Sequence, residues 1–310
     1  MQKITPFLWF DNNAEEAVEF YTSVFSALGG SANGGKNSKG GNATFYEEQG
    51  AEVSGQPKGS VMTIPFQLYG QNFTALNGGP LFKFNPSVSF FVNCKTENEV
   101  QILWDKLSEG GKALMPLDTY HFSEKYGWIQ DKFGVSWQLI LSVGEIKQSI
   151  VPSMLFVGNV CGRAEEAMNF YTSIFNNSKV LASFRYGVNQ SPDKEGTIAF
   201  ADFILEGQIF AAMDSAHAHD FAFNEAISFM VNCESQKEVD YFWKKLSEGG
   251  AEVQCGWLKD KFGLSWQIVP TDLGKLLSSP DPEKSKRVMG VMLQMKKLII
   301  ADLQKAYDGN

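Results

Sequence analysis

The sequence contains few of the residues that build most catalytic and metal sites. Its 310 residues include only three histidines and four cysteines, and no two cysteines have the C-x-x-C spacing of a redox or zinc motif. No apolar run approaches the roughly 20 residues that a membrane-spanning helix requires. The formal net charge of −8 is opposite to the basic surface that a phosphate backbone attracts. We therefore predict neither a membrane nor a nucleic acid as partner.

The rest of the composition is that of a globular protein with a substantial core. The hydrophobic fraction is 44% and the charged fraction 20%, and 310 residues are enough for two domains of ordinary size. Cys94 and Cys233 fall at equivalent strand ends, which favours reduced, packed thiols over a disulfide framework. Because the first residues lead directly into a strand, without an apolar signal region, we expect a cytoplasmic protein.

Two copies of one eight-residue stretch indicate that the chain is a tandem duplication. Residues 131–138 read DKFGVSWQ and residues 260–267 read DKFGLSWQ, each after a Gly-Trp pair. Both are typical of a hairpin corner that leads into a buried strand, with Gly134 and Gly263 supplying the turn. The predicted units are copy one (1–145), copy two (150–272) and a C-terminal helix (280–310).

Each copy is predicted to contain the pattern β-α-β-β-β twice, which gives an α+β fold of four such modules. Thr96 with Glu99, and Ser235 with Glu238, form capping boxes at the starts of two helices. The first helix is predicted to begin with Asn12 as its cap.

Copy one is longer than copy two at two places. Equivalent residues of the two copies are 150 positions apart at the FYTS helix, 139 apart at the later SFF/SFM strand and 129 apart at the DKFG stretch. Copy one therefore carries 11 additional residues between the first two motifs and 10 between the last two. The first insertion belongs to the glycine-rich stretch 26–59, predicted to be a mobile loop around one strand. The second lies within 114–126 and contains three aromatic residues and His121.

These motifs are similar to one known family. The FYTSIF helix, the SFMVNC strand, the DKFG-x-SWQ corner and the C-terminal Pro-Glu-Lys-x-x-Arg-Val-Met stretch resemble the PhnB-like branch of the vicinal oxygen chelate superfamily. This superfamily contains glyoxalases, bleomycin-resistance proteins and dioxygenases, and the branch is often labelled 3-demethylubiquinone-9 3-methyltransferase. The resemblance implies tandem glyoxalase-like domains whose modules form half-open barrels, each enclosing a cup for a small molecule. Since such cups are made across two modules, it also implies a monomeric pseudo-dimer or a homodimer.

The resemblance further implies where a catalytic metal would be bound. Enzymes of the superfamily hold a divalent metal with His and Glu side chains that project into the cup. The matching positions are Pro6, Asn77, Ser87 and Gln138 in copy one and Pro152, Asp214, Ala226 and Gln267 in copy two. Proline and alanine offer no side-chain ligand, and neutral amides are poor ligands beside imidazole and carboxylate. We therefore predict no metal and no other cofactor.

Two catalytic alternatives stay open. A metal-dependent lyase, isomerase or dioxygenase could use the non-standard set Asp214, His217 and Gln267. The methyltransferase of the family label would need a glycine-rich strand-to-helix turn for S-adenosylmethionine, and neither 29–30 nor 78–79 has that context.

The histidines give no clear catalytic signal. His217 and His219 follow a strand end and are expected in a solvated loop, although an H-x-H pair near acidic residues could bind a metal. His121 is expected on a surface loop or in a lid over a ligand. No Ser-His-Asp or Cys-His arrangement can be assembled.

Strand alternation predicts which side chains line the cups. We assume that the positions that match the metal ligands of the superfamily face the cup. Trp137 and Trp266 then lie on the opposite face of their strands, in the core under the helices. The residues predicted to contact ligand are Leu8, Phe10, Ser89, Phe91, Trp128, Gln138, Met154, Phe156, Met230, Trp257 and Gln267. Because most of them are apolar, we predict a metal-free protein that binds a small aromatic or apolar molecule.

One further alternative is a structural or interaction protein whose cups are filled by its own side chains. The asymmetry between the copies predicts at most one working cup, without indicating which.

Overall fold

The computed structural model describes residues 2–27 and 38–309. Copy one contains, in order, β1 (Ile4–Phe10), α1 (Ala14–Ser26), β2 (Lys39–Gly40), β3 (Thr44–Phe45), α2 (Glu48–Ser54), β4 (Val61–Leu68), β5 (Gln71–Asn77), β6 (Val88–Cys94), α3 (Glu97–Ser108), β7 (Lys112–Tyr120), β8 (Ser123–Gln130) and β9 (Ser136–Leu141). Copy two contains β10 (Ile150–Phe156), α4 (Ala164–Ile174), β11 (Lys179–Arg185), β12 (Ile198–Leu205), β13 (Gln208–Asp214), β14 (Ile227–Cys233), α5 (Gln236–Leu246), β15 (Ala251–Glu252), β16 (Trp257–Lys259) and β17 (Ser265–Pro270). The C-terminal segment contains α6 (Leu273–Leu277), α7 (Pro282–Met292) and α8 (Ile300–Asp308).

The strands form two sheets, and each sheet combines halves of both copies. Sheet A has the order β15-β16-β17-β14-β1-β5-β4-β2, with β3 also pairing with β4. Sheet B has the order β11-β12-β13-β10-β6-β9-β8-β7. The copies meet at antiparallel pairs in the middle of each sheet, β1 with β14 and β6 with β10. Each sheet is thus a half-open barrel built from the first half of one copy and the second half of the other. The predicted α+β fold of tandem βαβββ modules is confirmed.

Two segments differ from the sequence-based predictions. Helix α2 lies in the glycine-rich stretch 26–59, where only a ragged strand was predicted; residues 28–37 of that stretch lie outside the described residues. The single helix predicted over 280–310 is interrupted between α7 and α8. The chain leaves helical geometry there because it runs beside copy two, where the carbonyls of Met295 and Lys296 accept hydrogen bonds of 2.7 Å from the backbone N–H groups of Cys255 and Gly256.

The C-terminal helices contact both copies. Met289 of α7 lies against Gly50 of α2, in copy one. The backbone N–H of Ile300, at the start of α8, donates to the side chain of Gln236 in copy two, at 2.8 Å. None of the helices in residues 2–27 and 38–309 is long and apolar enough to cross a membrane.

The convex face of each sheet is covered by helices and forms the main core. Trp137 and Trp266 lie there, 0% and 1% exposed, which confirms their prediction as core residues. Tyr21 of α1 and Tyr171 of α4 pack against these rings, with centroid separations of 5.4 Å in both copies. The helices therefore cover only one face of each sheet, and the concave faces are left to form the cups.

The repeated DKFG stretch is a buried corner organised by its aspartate. The carboxylate of Asp260 accepts hydrogen bonds from the Tyr171 hydroxyl (2.7 Å), the Trp266 indole (2.9 Å) and two backbone N–H groups (2.8 and 3.1 Å). Asp131 accepts the same four bonds in copy one. Gly263, with φ of 87°, closes the turn as predicted. The aspartate thus joins helix, turn and strand at one point.

The predicted capping boxes are present, but the first helix is capped differently. The Thr96 hydroxyl accepts from the N–H of Glu99, and Ser235 does the same for Glu238. The predicted cap by Asn12 is wrong, because the side chain of Asn77, at the end of β5, accepts from the N–H of Ala14 at 2.8 Å. A strand end therefore supplies the cap that the helix's own sequence does not.

Candidate functional site

The concave faces of sheets A and B form two cups, here called cup A and cup B. Strand register places one row of side chains across the concave face of each sheet. The row in cup A is Lys39, Gln67, Asn72, Thr5, Met230, Gln267 and Trp257. The row at equivalent positions in cup B is Lys179, Ile204, Ile209, Val151, Phe91, Gln138 and Trp128. The ends of the rows agree, but the middle of the row is polar in cup A and apolar in cup B.

Cup A contains an open cavity of about 430 Å³. Its lining residues are Gln2, Thr5, Lys39, Gly40, Gly41, Pro65, Phe66, Gln67, Asn72, Phe73, Thr74, Met230 and Asn232. The Gln67 amide donates to the Asn72 side-chain oxygen at 2.9 Å, and the Asn232 amide donates to the Thr5 hydroxyl at 3.2 Å. The polar groups are therefore held by one another and by the strands. This cavity is more polar than the apolar cup predicted from the sequence.

Cup B is filled by the protein's own side chains. Its concave face carries an apolar cluster of Phe91, Met115, Tyr120, Tyr126, Trp128, Ile140, Val151, Phe200, Ile209, Ala211 and Met213. The 114–126 insertion contributes much of this cluster, because it lengthens the β7–β8 hairpin, whose rings Tyr120, Phe122 and Tyr126 pack on one another. His121 lies beside Phe122 in the same hairpin. In sheet A the matching strands β15 and β16 are short, so no comparable hairpin covers cup A.

Hydrogen bonds also close cup B. The Tyr126 hydroxyl donates to the Gln138 side-chain oxygen at 2.6 Å, and the Gln138 amide donates to the Ser89 hydroxyl at 2.8 Å. The Trp128 indole donates to the Ser136 hydroxyl at 2.7 Å. Burial raises the pKa of Tyr126, so its hydroxyl remains a donor across the physiological range.

The same positions in cup A are only partly engaged. The Gln267 amide keeps its bond to the Ser228 hydroxyl, at 2.9 Å. Cys255 replaces Tyr126, and the Trp257 ring packs edge-to-face on Phe7, 5.8 Å away between centroids. The Ser265 hydroxyl, which corresponds to the acceptor of the cup B indole, is buried without a hydrogen-bond partner among the described residues. Burial raises the pKa of Cys255, so its thiol stays protonated and is a poor nucleophile.

The structure divides the predicted ligand-contacting residues into three groups. Ser89, Phe91, Trp128 and Gln138 lie on the concave face of cup B, whereas Met230, Trp257 and Gln267 lie on that of cup A. The remaining four, Leu8, Phe10, Met154 and Phe156, lie on the convex face in the helix-covered core and are at most 2% exposed.

The predicted inward face of the two first strands was therefore wrong. In β1 the inward residues are Thr5, Phe7 and Trp9, because Thr5 lies opposite Met230 and Phe7 opposite Ser228. The pattern of the sequence could not show this, since β1 and β10 are central strands that are apolar on both faces.

The residues present do not fit the metal site of the superfamily. In cup A the inward residues of the first strand include Thr5 and Phe7, and not Pro6 as predicted. Neither residue offers an imidazole or a carboxylate to a metal. Asp214 accepts three backbone N–H bonds, from Gly162 and Ala164 at the start of α4 and from Ile198, so it caps a helix. Asn77 has the same structural role in copy one.

The alternative metal set of Asp214, His217 and Gln267 is not assembled. Asp214 lies on sheet B and Gln267 on sheet A, whereas the His217 ring lies near Asp193, at 3.5 Å. The His219 ring contacts the Ser215 hydroxyl at 2.9 Å, and burial lowers its pKa. No group of three or more His, Cys, Asp or Glu side chains in the described residues is placed to hold a metal ion.

Asp202, in β12, is a carboxylate on the concave face of cup B, and it was not predicted. It lies between Ala211 and Ala182 in the sheet, next to the apolar cluster, and burial raises its pKa. Because the folded state binds this proton more readily than the unfolded state, ionisation of Asp202 lowers stability as the pH rises through its folded pKa.

The variant Asp202→Asn tests this cost. It should unfold at a slightly higher temperature than the parent at pH 7, by roughly 1–2 °C, because the amide requires no ionisation. The difference should narrow as the pH falls below the unfolded-state pKa of about 3.9, because the carboxyl group then becomes protonated in both states. Thermal unfolding followed by circular dichroism across this range measures it. A difference that does not change with pH would assign the effect to packing instead.

The chain is similar to several known proteins. The family model described as 3-demethylubiquinone-9 3-methyltransferase matches residues 2–140 and again residues 148–269. A solved structure described as a putative 3-demethylubiquinone-9 3-methyltransferase, PhnB protein, from Bacillus cereus is 40% identical over 46% of this chain and 100% of that chain, with a TM-score of 0.39. Glyoxalase I from Zea mays is 11% identical over 86% of this chain and 93% of that chain, with a TM-score of 0.52. No curated protein matches the chain.

The plant enzyme shows the fold alone, because its sequence identity is low. The family model, in contrast, matches most of the chain. The chain therefore belongs to the PhnB-like family described as 3-demethylubiquinone-9 3-methyltransferase, which it matches twice.

Proposed function

We propose that the chain is a small-molecule binding protein in which cup A holds the ligand and cup B is a packed support. The observation that carries this proposal is the contrast between equivalent rows. Thr5, Gln67 and Asn72 border a cavity in cup A, whereas cup B has valine and two isoleucines at those positions and is filled. A cavity with oriented polar groups is typical of a ligand site, while a packed apolar cluster contributes to stability.

The ligand fits the cavity as a compact molecule with one apolar and one polar side. Met230 and Pro65 offer apolar contact, and the amides of Gln67, Asn72 and Asn232 offer hydrogen bonds. The proposal requires no metal, since the inward residues of the first strand do not supply the ligands that such an ion prefers.

The methyl transfer named in the family description is not the function we propose. Gly78 lies against the ring of Trp9, where even a methyl group would overlap the indole, so its backbone is not open to a cofactor. The pair 29–30 lies outside the described residues. The pair 78–79 therefore does not support a site for S-adenosylmethionine.

Filling cup A tests the proposal. The triple variant Thr5→Val, Gln67→Ile and Asn72→Ile copies the apolar row of cup B and should abolish binding of ligands that raise the parent's melting temperature. Its own stability should stay near that of the parent, because the new side chains resemble those that pack cup B. A thermal-shift screen of small aromatic acids and amides, followed by calorimetry, provides the measurement.

Matched changes at exposed positions provide the control. Thr119→Val and Gln304→Ile make the same chemical substitutions outside both cups and should leave binding unchanged. A filled variant that binds as tightly as the parent would refute cup A as the site.

A further inference from the structure

The charge of the cup A cavity is opposite in sign to that of the whole chain. The sequence has 35 acidic and 27 basic residues. Among the residues that line the cavity, however, the single charged one is Lys39, and none is acidic. A ligand in this cavity would therefore meet a positive charge and no carboxylate.

Lys39 has no neutralising partner in the described residues. Twelve ion pairs join charged side chains elsewhere in this part of the chain, and Lys39 takes part in none of them. The neighbouring stretch 28–37 contains neither aspartate nor glutamate. The ammonium group thus remains available to a ligand.

The hydrogen-bond network leaves two donors along the row that starts at Lys39, together with one acceptor, the Gln67 side-chain oxygen, which accepts no hydrogen bond among the described residues. The Asn72 side-chain oxygen is occupied by the Gln67 amide, which leaves the Asn72 NH₂ group to donate. The Thr5 hydroxyl accepts from the Asn232 amide, so its proton is free to be donated. Two donors and one cation lie along a single row of the sheet.

We propose that cup A takes a ligand that carries an oxyanion, a carboxylate or a phosphate, held by Lys39, Asn72 and Thr5. This inference rests on the proposed function and names the chemical class of its ligand. A charged acceptor makes stronger hydrogen bonds to these donors than a neutral acceptor does. The apolar part of the ligand then lies toward Met230. In cup B, Lys179 begins the equivalent row, but it is followed by Ile204 and Ile209, whose side chains offer no donor.

Three probes of one shape separate charge from size: 2-naphthoate, 2-naphthyl phosphate and the neutral 2-naphthamide. Calorimetry on the parent should show that at least one anion binds about fivefold to tenfold more tightly than the amide. The variant Lys39→Gln should lose about that factor for the anion and change amide binding less than twofold. Lys39→Arg should retain the preference, and rising salt should weaken anion binding, because the lysine is exposed to solvent.

Lys179→Gln is the matched control, since it removes the corresponding lysine of cup B and should have no effect. Tighter binding of the naphthoate or of the phosphate decides which oxyanion the cavity accepts. The inference is overturned if the amide binds the parent as tightly as both anions do, or if Lys39→Gln leaves anion binding unchanged. In that case, the proposed function would still stand if the filled triple variant abolished binding of the amide. If all three probes bound the parent and the filled variant equally well, both the proposed function and the oxyanion inference would be refuted.

Discussion

Replacing Asp260 with alanine is expected to lower the free energy of unfolding by roughly 4 kcal/mol. The carboxylate is 2% exposed and accepts four hydrogen bonds, two from side chains and two from the backbone. Its removal leaves the Tyr171 hydroxyl and the Trp266 indole buried without an acceptor, together with two backbone N–H groups of the turn. Each such orphaned donor costs about 1–3 kcal/mol, although relaxation and water entry recover part of the total.

Urea denaturation followed by tryptophan fluorescence measures this change. Asp260→Asn should be milder, because its remaining oxygen can still accept the two backbone bonds while its amide faces the indole donor. Asp272→Ala is the control, since that exposed carboxylate pairs only with Lys275 at the surface and should change stability by less than about 1 kcal/mol. If Asp260→Ala and Asp272→Ala had the same free energy of unfolding, the hydrogen bonds to Asp260 would not stabilise the DKFG corner as we expect.

Gly250→Ala is expected to lower the free energy of unfolding by about 2–3 kcal/mol. A Cβ atom at this position would overlap the carbonyl oxygen of Lys259 and lie 2.9 Å from the Cα of Asp260. Because both obstacles are backbone, no side-chain rotation relieves the overlap, and the backbone at Lys259 and Asp260 must move. A Cβ atom added at the equivalent Gly111 would lie 2.6 Å from the carbonyl oxygen of Gln130, so replacing this glycine should also destabilise the fold.

Gly274→Ala is the matched control. It lies in α6, and nothing stands within 4 Å of the position that its Cβ would take. Alanine there should leave stability unchanged or raise it by up to about 1 kcal/mol, because it restricts the unfolded chain. Equal losses from the two substitutions, measured by the same urea titration, would contradict the steric explanation.

The sequence predicts the fold well because each motif occurs in both copies, so that an element predicted in one copy can be checked in the other. The DKFG corner, the capping boxes and the core tryptophans are each seen in both copies, and all three are confirmed. The role of the aspartate was missed, since a charged residue beside Lys and Gly is typical of an exposed turn. The signal was present in the spacing, because Trp266 follows Asp260 by six residues and the hairpin returns its indole to the carboxylate.

The candidate site was harder to predict, for two physical reasons. Central strands such as β1 are buried on both sides, so alternation cannot tell Leu8, on the helix side, from Phe7, in the cup. The sequence also does not show that the first half of each copy shares a sheet with the second half of the other copy. Sheets made from two halves of the same copy would satisfy the same apolar pattern. Only the observed register aligns Thr5 with Met230 and shows which side chains face each cup.

The exchange of halves between the sheets also governs the order in which the chain can fold during synthesis. Ile4 is synthesised long before Val231, its antiparallel partner in sheet A. While copy two is still being made, β1 and β6 therefore have open edges and apolar faces that no finished sheet covers. Contacts so distant in sequence form slowly. The nascent chain consequently passes through a long interval in which its exposed strands can aggregate or be bound by chaperones.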